Sequence, residues 1–106
     1  MKHINRIQLG IANLEYNSPA DCIELRLFLL SLMREFVQQY RYVQGNKKTQ
    51  ILKVFRELEN LYKSFTAVTH EEGRNYKAQF EFAKALIADQ VERTAPAFEM
   101  SNMAVA

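Results

Sequence analysis

The sequence predicts an all-α fold, an up-and-down antiparallel bundle of three long helices plus a shorter N-terminal helix. Three observations predict it. Apolar residues recur at three- and four-residue spacing through most of the chain. The chain holds only three glycines and two prolines, too few for a turn-rich β fold. All of these but Gly10 fall where the helices should begin or end.

Each element has its own signals. Over residues 2–16, Ile4, Ile7, Ile11 and Leu14 form a narrow seam of the kind that packs into a groove. Gly10 inside it costs about 1 kcal/mol relative to alanine, so this helix depends on its neighbours. Asn17-Ser18-Pro19-Ala20-Asp21 reads as a helix start, with Ser18 as cap, Pro19 in the first turn and Asp21 complementing the positive helix end. That helix is predicted to run to Gln44, where Gly45-Asn46 supplies a left-handed stop. Leu25, Leu29, Leu32, Met33, Phe36, Tyr40 and Val43 share one face, and Ile23, Leu27, Leu30 and Val37 widen it. A helix apolar nearly all round is expected at the centre of the bundle, covered on several sides.

The third helix, 47–66, has the cleanest amphipathic pattern: Ile51, Val54, Phe55, Leu58, Leu61, Tyr62 and Phe65 fall in one arc of about 140°. Thr69 and Glu72 read as a capping box opening the fourth helix, whose core stripe is Tyr76, Phe80, Ala83, Ile87 and Val91. Thr94-Ala95-Pro96 is expected to end it. Residues 1–96 then form a single domain and 97–106 a flexible tail.

With 106 residues the chain has the size of one domain with one core. One cysteine, Cys22, allows no internal disulfide. The N-terminus alternates polar and apolar residues without the run of a signal peptide, and residues 23–33 are too short and too charged to span a bilayer. A cytoplasmic protein is the expectation. Net charge is +2, but residues 37–68 hold six basic against two acidic groups, a mild pull toward an anionic partner.

Chemistry-bearing motifs are scarce. Di-iron bundles use Glu-x-x-His, and neither His3 nor His70 has a glutamate three residues before it. His70, Glu71 and Glu72 read as a first-turn cluster helping the helix dipole rather than as ligands. Cys22 near a helix start could have a lowered thiol pKa, but catalysis would also need a base and an orienting group, and a lone cysteine on an apolar face reads as a small buried hydrophobe. No glycine-rich phosphate loop or nucleophile elbow is present. No catalytic residue, metal ligand or cofactor is therefore predicted.

Arg26 is the residue that fits its helix worst. It falls inside the apolar arc, and burying an unpaired guanidinium would cost several kcal/mol. An internal salt bridge to Asp89, Glu81 or Glu15, or a stem reaching water, is the structural expectation; an anchor for a partner's carboxylate or a phosphate is the functional one. Phe82 and Leu86 lie about 100° from the core stripe of the fourth helix, a second seam that either the first helix or another chain must cover. The leading expectation is a small non-enzymatic regulatory bundle binding another protein, or a second copy of itself as a dimer, through Arg26, Leu52, Phe82, Leu86 and Phe98. The alternative is a nucleic-acid-binding regulator using Arg41, Tyr42, Lys47, Lys48, Lys53 and Arg56 around a helix-helix turn.

Overall fold

The computed structural model describes the backbone of residues 2–71 and 74–105 and the side chains of residues 6–71 and 74–94. Four helices follow in order: α1 (Lys2–Asn13), α2 (Asp21–Tyr42), α3 (Asn46–Val68) and α4 (Lys77–Val105). They pack as an all-α bundle measuring 47 × 22 × 17 Å. Its length is set by α4, whose 29 residues reach about 43 Å at the helical rise.

Cross-links between the helices fix their directions. Gln50 near the start of α3 donates to the carbonyl of Arg93 far along α4 (2.9 Å). Lys84, two turns into α4, donates to the Leu14 carbonyl just past the end of α1 (2.6 Å). Arg6 meets Glu35 while Gly10 meets Phe28, so α1 also runs against α2. Each helix is thus antiparallel to the next. The core is the seam these elements share, with Leu25, Leu29, Phe36, Ile51, Leu58, Phe80 and Ile87 fully buried.

The start of α2 is built differently from the expected Ser18 cap. Ala20 occupies the cap position with no side-chain bond, and the Asp21 carboxylate accepts the backbone N–H groups of Asn17 and Ser18 (2.6 and 2.8 Å). Asp21 therefore anchors the incoming loop instead of being capped by it. Gly45 has a positive φ (65°) but with ψ −135° it is not in the left-handed helical conformation expected of a stop; it caps the start of α3, and the extended Val43 ends α2.

The fourth helix differs most from expectation. Thr69 closes α3 rather than opening α4: its N–H and its hydroxyl both donate to the Phe65 carbonyl (3.0 and 2.6 Å). Glu72 lies outside the described residues. The cap role passes to Asn75, whose Oδ1 accepts the Lys77 N–H (2.9 Å). At its other end α4 continues through Pro96 to Val105 instead of stopping at Thr94-Ala95-Pro96. A proline leaves the carbonyl four residues earlier, here that of Glu92, without its helical donor. The buried Thr94 hydroxyl lies 3.0 Å from the carbonyls of both Gln90 and Val91.

The helix at the centre is α4, which packs against α1, α2 and α3. The expectation that α2 would be covered on several sides fails on its outer face. α2 also meets α1, at Arg6–Glu35 and Gly10–Phe28, as well as α3 and α4, and its far side is left open.

Candidate functional site

The open face of α2 is the largest departure from a fully satisfied bundle. Ile23, Leu27 and Val37 are 49%, 53% and 41% exposed, and Leu30 beside them is half-buried. At 100° per residue all four lie within 40° of the line through Ile23, and Arg34 and Arg41 fall on the same stripe. Local sequence explains the helix, since leucine and arginine are strong helix formers. Nothing local explains why leucines face water. Scattered apolar side chains on a surface are ordinary, but an apolar stripe running about four turns along one helix is not.

Where this stripe meets α3 it deepens into a groove of about 390 Å³, lined by Leu30, Met33, Arg34, Val37, Arg41 and Phe55. A smaller hollow of about 100 Å³ continues it past Val37, Tyr40 and Phe55 to Leu52. Two residues expected in different roles, Arg41 and Leu52, thus border one continuous surface through Val37 and Phe55. Arg26 lies on the same flank of α2, eight residues before Arg34.

Arg26 is half-buried and, among the described residues, makes no ion pair. The expected internal bridge is absent there: neither Glu81 nor Glu15 makes an ion pair with it, and Asp89 pairs with Arg93 on its own helix (3.1 Å). Its guanidinium sits close enough to Cys22 to favour the thiolate, but burial is the stronger effect, and together with Asp21 it pushes the Cys22 thiol above its ordinary range. Cys22 is buried in the core, as a small hydrophobe would be.

Phe82 and Leu86 occupy a separate face. Phe82 is 65% exposed and Leu86 half-buried. The first helix does not cover Phe82: α1 packs on the flank of α4 carrying Glu81, Lys84, Ala85 and Ala88, which lies between 60° and 160° around the helix from Phe82. Phe98 belongs to α4, but its side chain lies outside the described residues.

The expected basic patch is only partly assembled. Arg41, Tyr42, Lys53 and Arg56 are exposed, whereas Lys47 and Lys48 are half-buried. The Lys48 ammonium lies 4.5 Å from the centre of the Tyr40 ring, a cation–π contact that commits it to the fold. On α3, Lys53 falls about 160° from Phe55 and so faces away from the α2 groove. The sequence reading missed Leu30, Arg34 and Val37 as surface residues. Their signal was the excess of apolar positions on α2, read there as extra burial.

No family model matches the chain. No curated protein and no solved structure matches it either.

Proposed function

We propose that this protein is a small non-enzymatic helical bundle that acts by binding another protein. The observation that carries the reading is the exposed apolar stripe of Ile23, Leu27 and Val37 on α2, beside the groove that α2 forms with α3. Each is about half exposed, so covering what remains gains about 1 kcal/mol per side chain, which favours a partner over water. Phe82 on α4 offers a second contact, on another face. A regulator or adaptor working by association needs no more chemistry than this.

The experiment is site-specific photo-crosslinking in native extract, with the crosslinker at Val37 or Phe82 and with and without nuclease. A discrete protein adduct that survives nuclease supports the reading. Crosslinking to nucleic acid alone supports instead a regulator that uses the exposed Arg41, Tyr42, Lys53 and Arg56.

A further inference from the structure

We infer that the α2/α3 groove receives an acidic amphipathic helix of a partner protein, its apolar side against Leu30, Val37 and Phe55 and its carboxylates against Arg26, Arg34 and Arg41. The inference rests on the protein-binding reading and specifies the partner's chemistry. Arg34 and Arg41 are seven residues apart, so they lie about 20° from one another around α2 and about 10 Å apart along it. Arg26 lies about 12 Å further along, turned toward α3.

None of the three makes an ion pair among the described residues, in contrast to Arg6, Arg74 and Arg93. The carboxylates of α2 are occupied or turned away. Asp21 holds the loop before the helix, Glu35 meets Arg6 on α1, and Glu24 sits about 100° from Ile23. Across the groove, Glu59 on α3 is half-buried and makes no ion pair with any of the three arginines. Arg26, Arg34 and Arg41 therefore place three guanidiniums without an ion pair among the described residues on one apolar face.

The shape and the charge select the occupant. Apolar side chains alternate with cations along a concave seam, the pattern into which an amphipathic helix lays residues at three-, four- and seven-residue spacing. A second copy docking its own α2 here would bring more arginines and no carboxylate on that stripe, and like net charge opposes association. The exposed stripe of α4 does not complement it either, because Asp89 is already paired with Arg93.

The test is fluorescence anisotropy of the full chain with two labelled synthetic helices of about 18 residues, long enough to span the three arginines. Both carry leucines at helical spacing; one has glutamates flanking them and its twin has lysines. The acidic peptide should bind at least about tenfold tighter than the twin. Arg34→Glu with Arg41→Glu should reverse that preference while leaving the thermal melt unchanged, and Leu30→Ser with Val37→Ser should weaken both peptides. Equal binding of the two peptides overturns the charge assignment and leaves the protein-binding reading standing. Failure of both to bind at about 1 mM overturns the groove as a docking site, while the crosslinking result decides the wider reading separately. Displacement of the acidic peptide by phosphatidylserine vesicles or by a single-stranded oligonucleotide, in preference to unlabelled peptide, also overturns it.

Discussion

Gly10 of α1 lies against the ring of Phe28 on α2: a Cβ placed on Gly10 would come within 2.9 Å of Phe28 Cε2. The absence of a side chain is what lets the two helices approach here. Alanine would help the helix by about 1 kcal/mol and collide with the ring. The opposing effects should leave Gly10→Ala close to neutral in wild type. On a Phe28→Ala background the same change should stabilise by about 1 kcal/mol, a coupling that a double-mutant cycle of urea melts reads directly. Equal effects on both backgrounds would show that the ring does not constrain the position.

Tyr16 ties the loop after α1 to the start of α4. Its hydroxyl accepts the Tyr76 N–H (2.8 Å), and its ring lies 5.5 Å from that of Phe80, tilted by 56°. Tyr16→Phe keeps the ring contact and leaves the Tyr76 N–H without its acceptor, so a loss of about 1–2 kcal/mol is expected. Tyr16→Ala should cost clearly more. Denaturant melts of the pair separate the hydrogen bond from the packing.

Arg26→Ala should cost less than about 1 kcal/mol, mainly through the packing of its stem. Arg26→Met should restore that packing. A loss of about 3–5 kcal/mol on chemical denaturation would instead reveal a buried charge pair.

Much of the fold was legible in the sequence because helical periodicity is a local property. The stripes Ile51, Val54, Leu58, Phe65 and Tyr76, Phe80, Ala83, Ile87, Val91 are buried as their spacing implies. What failed depended on partners. Thr69 can cap either neighbouring helix, and both its N–H and its hydroxyl went to the Phe65 carbonyl at the end of α3. The position of Asn75, two residues before Lys77, could have marked the true start. For α2, a helix apolar all round does not say which face its neighbours will cover, so Leu27 and Val37 were assigned to an interior they do not occupy. Phe82 was legible because it lay off a stripe already complete.

The Cys22 thiol should be slow to react while the protein is folded. Burial raises its pKa, so the neutral thiol is favoured in the folded state. Its contribution to stability is complete below the unfolded thiol's pKa and is lost as pH rises through the raised folded value. Titration with a chromogenic disulfide at neutral pH should show reaction many times slower than in urea. Equal rates would place the thiol at the surface.

The central claim is that the outward apolar residues of α2 serve association rather than the core. The direct measurement is the unfolding free energy of Leu27→Ser with Val37→Ser, read beside photo-crosslinking of the same variant from position Phe82 and from a second α2 position, Leu30. The two substitutions should change stability by no more than about 0.5 kcal/mol each while abolishing the adduct at Leu30. A loss of several kcal/mol, or an adduct that persists at Leu30 with both side chains removed, would contradict the account.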